Sequence, residues 1–196
     1  MWAKVVSYII HPSLVPVVGV LIAYYILPYY IPEPLFLFVL AYVFAGTYLF
    51  PLIIVLGLYK LKFVNSIHLK TRKERVFPFL ISAFFYFLTA KAALQFHFPE
   101  ELARFLFAGC LILLIQLVAL WFTKISAHVA GASAILTWLI CLSAAYSINL
   151  LLPIAVATVA LAIVSSARLE LKAHNGAEIV SGLLTGSGAV LALYSW

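Results

Sequence analysis

The chain has 196 residues, 66% of them apolar and 9% charged, with a formal net charge of +6. A soluble domain carries about 25% charged residues, so this composition leaves too little polar surface for a water-facing globule. The positive excess in so apolar a chain points to anionic lipid or phosphate, not nucleic acid, because no basic patch interleaved with aromatics sits on a polar domain.

A helical membrane span needs about 20 mostly apolar residues. Residues 8–27 supply the first, with His11-Pro12 and Pro16 expected at its start as a kink. No small-residue cleavage pattern closes a short apolar core there, so this segment is expected to be retained. A short proline-rich turn, 28–34, leads to a second span at 35–59, which has no charged side chain. The polar link 60–75 precedes a third span at 78–94, where Lys91 can snorkel. After 95–98, Pro99-Glu100-Glu101 starts the fourth span, 102–120, with its acidic residues at the positive end of the helix dipole.

Residues 129–167 contain no Lys, Arg, Asp, Glu or His. That run is too long for one span and just enough for two, so a tight turn is expected near 146–149. The last span is 179–194, where Gly182, Gly186 and Gly188 could pack closely on a neighbouring helix. The expected fold is therefore all-α, a polytopic membrane bundle of about seven transmembrane helices (six at the lower count), forming a single integral membrane domain over 1–196. Cys110 and Cys141 sit inside apolar segments and read as small buried hydrophobes.

Counting crossings returns three polar segments, 60–75, 121–128 and 168–178, to one face. Ten of the twelve basic residues follow that face, all but Lys91 and Arg104. The positive-inside rule would make it cytoplasmic. A phosphate site would gather cations in either compartment.

These segments hold the residues that could do chemistry. His174 and Glu178 are four apart, so on a helix they share a face. A carboxylate holding one imidazole nitrogen leaves the other free and more basic, as a nucleophile or base requires. Solvated interfacial residues would give the same spacing. Arg168 can clamp two phosphate oxygens or simply anchor a span at headgroup level. Ser126 and His128 open the fifth span, whose helix N-terminus favours an anion, and Lys124 adds a cation. Ser126 would also serve as a plain N-cap. His128, His174 and Glu178 could in principle hold zinc, but Lys124, Arg168 and Lys172 would surround that cation with like charge.

The pattern resembles the type 2 phosphatidic acid phosphatase superfamily, whose signature blocks are Lys-x6-Arg-Pro, Pro-Ser-Gly-His and Ser-Arg-x5-His-x3-Asp. The third block matches in spacing at Arg168, His174 and Glu178, with Ala167 for Ser and Glu for Asp. The second reads Ile125-Ser126-Ala127-His128, and the first keeps Lys70 and Pro78 but has Phe77 where the family has Arg, with Arg75 nearby. The likeness covers roughly residues 60–190, and the first span lies outside it.

The resemblance implies metal-independent hydrolysis of a phosphomonoester or pyrophosphate on a membrane lipid, through a phosphohistidine. It makes His174 the nucleophile, Glu178 its orienting group and His128 the acid. Arg168, Ser126, Lys70, Arg75 and Lys124 would bind phosphate, and no cofactor is implied. The expected partner is a lipid phosphate or polyprenyl pyrophosphate, and the expected location is the plasma (inner) membrane. Two other classes fit the residues: a phosphate-headgroup-binding protein without turnover, and a small transporter, which would place polar residues at mid-span depth.

Overall fold

The computed structural model describes residues 1–28, 30–62 and 72–194, and among these the regular structure is entirely helical. Seven stretches are long and apolar enough to cross a membrane: Trp2–Ile26, Glu33–Lys60, Glu74–Gln95, Glu100–Ala119, Ala127–Tyr146, Leu151–Glu170 and Gly176–Tyr194. The chain is thus an all-α integral membrane protein.

The first span begins earlier than its hydropathy suggests and is broken inside rather than at its start. Helix α1 (Trp2–Ile9) stops two residues before His11, and α2 (Val15–Ile26) resumes after a short turn at Pro12–Leu14. Pro12 forces the preceding residue out of helical geometry, and His11 accordingly lies at φ −78°, ψ 135°. Its Nδ1 accepts from the Ser13 backbone N–H at 3.3 Å and from the Ser13 hydroxyl at 2.6 Å. The freed chain end is thereby tied down.

The second span is also interrupted. Helix α3 (Glu33–Phe44) widens into a π-helical turn, Ala45–Leu49, before α4 (Phe50–Lys60). Pro51 in the first turn of α4 has no N–H to give back to the preceding turn, a condition under which a helix readily changes its pitch.

Helix α5 (Arg72–Gln95) starts six residues before Pro78, the expected beginning of the third span, and carries that proline internally. Such prolines are tolerated in membrane helices because neighbouring groups re-satisfy the freed carbonyl. The earlier start places Arg75 on the helix itself.

The remaining helices are α6 (Glu100–Ala119), α7 (Ala127–Tyr146), α8 (Leu151–Glu170) and α9 (Gly176–Tyr194). The expected turn closes α7 at Ser147, whose φ of 53° is left-handed. Helix α7 is the axis of the bundle, with 56% of its apolar window buried against 11% for α8 at the periphery. It packs most extensively on α9, as α5 does on α6. At the α7–α9 contact a Cβ on Gly182 would lie 2.9 Å from the Ser126 carbonyl, and one on Gly186 would collide with the Ala130 carbonyl and the Ser133 hydroxyl. Gly188 faces open space, so it takes no part in the contact. Deeper in the bundle the fully buried Trp138 stacks on Phe105, with centroids 4.3 Å apart, and Phe105 in turn covers Gly19.

Polar bonds close the bundle at both ends. On one side the Tyr146 hydroxyl donates to the Glu101 carboxylate and the Tyr194 hydroxyl to the Glu101 carbonyl. On the other side the Ser126 N–H donates to the Glu178 carbonyl at 3.3 Å, joining the start of α7 to the start of α9. That second end carries the ionisable cluster.

Candidate functional site

The loop from α8 to α9 is short and specified locally. Lys172 takes a left-handed φ of 50°, and the Ala173 N–H returns to the Arg168 carbonyl at 3.1 Å, closing the end of α8. Asn175 then caps α9: its side-chain oxygen accepts the Glu178 N–H at 2.9 Å, while the Glu178 carboxylate accepts the Asn175 N–H at 3.3 Å. This is a reciprocal capping box. It turns Glu178 back towards His174.

His174 sits in that turn with its side chain only 2% exposed. Its Nδ1 is 2.9 Å from Glu178 Oε2 and 3.1 Å from the Lys124 carbonyl. Both neighbours are acceptors, so Nδ1 carries the proton and Nε2 keeps its lone pair. Burial pushes the His174 pKa below its ordinary 6.5; the Glu178 hydrogen bond opposes that shift, while the Arg168 and Arg75 guanidinium groups add to it. The ring is therefore a fixed, neutral imidazole facing two cations.

His128 is held in the first turn of α7. Its Nε2 lies 3.1 Å from the Ser7 carbonyl, which can only accept, so Nδ1 is the nitrogen left for other work. His11 meets this ring edge-on, at a centroid distance of 5.5 Å. Helix α1 runs along α8, and the Arg168 Nη1 donates to the Ser7 hydroxyl at 3.2 Å. Ser7 thus holds both His128 and Arg168.

Two buried donors in this cluster have no partner among the described residues: the Ser126 hydroxyl and the Arg168 Nε. Ser126 occupies the N-cap position of α7, yet its side chain makes no capping bond. Leaving a buried polar group unpaired costs about 1–3 kcal/mol. Both groups can donate to an oxyanion, and Ser126 does so from the N-terminus of α7, where the helix end favours negative charge.

The sequence-predicted residues divide as follows. His174, Glu178, Arg168 and Arg75 act on one another, and Lys124 contributes its carbonyl to His174 and its charge to Glu178. His128 lies within the fields of Arg168, His11 and His174. Ser126 joins through its backbone and its unpaired hydroxyl. Lys70 lies outside the described residues. Phe77 is 55% exposed on the outside of α5, whereas Arg75 acts electrostatically on Glu178, Arg168 and His174.

Ser7, His11 and Asn175 were not singled out by the sequence as site residues. Ser7 and His11 are four apart, the spacing that could have flagged them, and Asn175-x-x-Glu178 has the form of a capping box. Among the described residues no group of three His, Cys, Asp or Glu side chains is arranged to hold a metal ion. The chain matches no protein-family model, no curated protein and no solved structure.

Proposed function

We propose that the protein is a membrane-embedded phosphatase that hydrolyses a phosphomonoester or pyrophosphate on a lipid through a phosphohistidine. The observation that carries this reading is the His174 ring, whose Nδ1 is fixed by Glu178 and the Lys124 carbonyl while its Nε2 makes no hydrogen bond to the described residues and two guanidinium groups act on it. The similarity of the three sequence blocks to the type 2 phosphatidic acid phosphatase superfamily adds support. So does the position of His128, Arg168 and His174 at helix ends on one side of the bundle, which a pore through the membrane would not require.

In the first step the His174 Nε2 lone pair attacks phosphorus in line, and the bond from phosphorus to the lipid oxygen breaks. His128, in its imidazolium form, gives the leaving oxygen a proton from Nδ1; a phosphate dianion beside the ring favours that form. In the second step water attacks the phosphohistidine, the P–N bond breaks, and the water proton passes to His128. Lipid alcohol and inorganic phosphate leave. Arg168, Ser126, Arg75 and the N-terminus of α7 hold the equatorial oxygens as charge shifts onto them, and Lys124 adds positive potential. The cations that suit a phosphate would repel a metal ion, so the chemistry runs on side chains.

The test is phosphate release by purified protein from phosphatidic acid, phosphatidylglycerol phosphate and polyprenyl pyrophosphate, with His174→Ala as control and with EDTA in a parallel arm. Release from at least one lipid, lost in His174→Ala and unchanged by EDTA, is expected. Normal turnover by His174→Ala would remove the nucleophile, and strong inhibition by EDTA would replace the mechanism with a metal-dependent one.

A further inference from the structure

Below the ionisable cluster lies a partly open cavity of about 210 Å³, lined by the turn at Pro12, Thr47 and residues of α2, α5, α6 and α7. His11 and Ala127 form part of its lining, so it begins beside His128 and Ser126. A larger space of about 500 Å³ shares His11, Thr47 and Pro78 with it and extends past Tyr48 and Leu52 of the second span. The walls are mostly hydrocarbon, as a lipid tail would need. The broken first and second spans border this space.

One wall residue does not fit a purely apolar occupant. Gln116 lines the cavity, is 1% exposed, and has neither its amide oxygen nor its amide nitrogen paired among the described residues. It lies three residues before the end of α6, about one helical turn below the face that carries the cluster. Two of the hydroxyls in the same lining are already engaged: Thr47 donates to the Val43 carbonyl and Ser13 to His11. Gln116 can both donate and accept.

We infer that Gln116 is a specificity-determining residue that reads a hydrogen-bonding group of the substrate just below its phosphate. The ligand class is an amphiphilic phosphate whose backbone carries a hydroxyl or ester beside the phosphoester, with its hydrocarbon tail in the cavity. A plain alkyl or isoprenoid phosphate would seal the amide against hydrocarbon with both ends unpaired, and a site built for such a bond rejects the analogue lacking it. The inference rests on the phosphatase reading for the position of the phosphate, but its readout is separate.

The experiment compares oleoyl-glycerol phosphate with oleyl phosphate, which has the same chain length but neither hydroxyl nor ester. Binding (by thermal shift in micelles) and phosphate release are both measured on the full chain, for wild type, Gln116→Leu and Gln116→Met. Wild type should favour the glycerol phosphate by at least about tenfold, and both variants should bring the ratio near one by losing that lipid while keeping oleyl phosphate. A wild-type ratio near one, or one that neither variant changes, would overturn the inference. Gln116-dependent binding preference without phosphate release would uphold it and refute the phosphatase reading. Equal release from both lipids would do the reverse, and absence of both binding and release would refute the two together. The methionine variant, close to glutamine in length, guards against a packing defect in the leucine one.

Discussion

Glu178 has two tasks at the same carboxylate, capping α9 through the Asn175 N–H and holding the His174 ring. That dual use gives a physical reason for a glutamate where the resembled signature has aspartate, since glutamate is the residue that closes a capping box. It also fixes a pH dependence. Burial lowers the His174 pKa from 6.5 and neutral His174 is the attacking form in the proposed mechanism, so the acid limb should lie below pH 6.5, while loss of the His128 imidazolium proton sets a separate fall at higher pH. The Glu178 bond works against that lowering. Glu178→Gln should therefore move the acid limb of kcat/KM to still lower pH while reducing the plateau by about 100-fold, within the range for losing a positioned general acid–base partner; a limb displaced upward would contradict the assignment. Stability follows the same sign: below pH 6.5 the unfolded chain takes up the proton first, so the native state loses ground as pH falls.

Ser126 offers a second test at this scale. An ordinary N-cap serine loses about 1 kcal/mol on replacement by alanine, but the Ser126 hydroxyl makes no capping bond. Ser126→Ala should leave the melting temperature unchanged or raise it, while weakening inhibition by inorganic phosphate about tenfold, the worth of a hydrogen bond to a charged group. A large fall in melting temperature with unaltered phosphate inhibition would make it a structural residue. The candidate site was legible in sequence where spacing brings residues together, at Arg168, His174 and Glu178. It was not legible at Ser7 and His11, because a serine and a histidine inside an apolar run gain meaning only when α1 is laid along α8.

Among the elements, the spans could be read because bilayer thickness dictates a run of about 20 apolar residues. The charge-free run 129–167 divides at Ser147, within the expected turn. Element starts were less legible. Pro78 reads as a beginning, yet α5 passes through it from Arg72, since a membrane helix can absorb a proline that sequence rules treat as a boundary. The glycines show the same limit: Gly182, Gly186 and Gly188 look alike in sequence, but only the first two meet α7. Gly186→Ala should destabilise the protein by about 2 kcal/mol through overpacking, read as a lower melting temperature in detergent, with Gly188→Ala near wild type. Equal effects at both positions would contradict the α7–α9 contact.

Across the whole molecule, one topological fact makes the site. Polar segments far apart in sequence return to the same end of the bundle because two crossings separate each from the next, and the backbone bond from Ser126 to Glu178 joins two of them directly. Helix α5 brings Arg75 to the same place. The apolar cavity opens beside this cluster instead of at the opposite end, as the proposed lipid-phosphate chemistry would need.

The central claim is that His174 becomes covalently phosphorylated. Rapid acid-free quenching of the protein with a phosphate-labelled lipid, followed by peptide mass spectrometry, tests it most directly. An acid-labile, alkali-stable phosphoryl group is expected on His174 during turnover of the wild type, formed more slowly in His128→Ala and absent in His174→Ala. Steady phosphate release with no label at His174 under any quench, or label retained in His174→Ala, would contradict it.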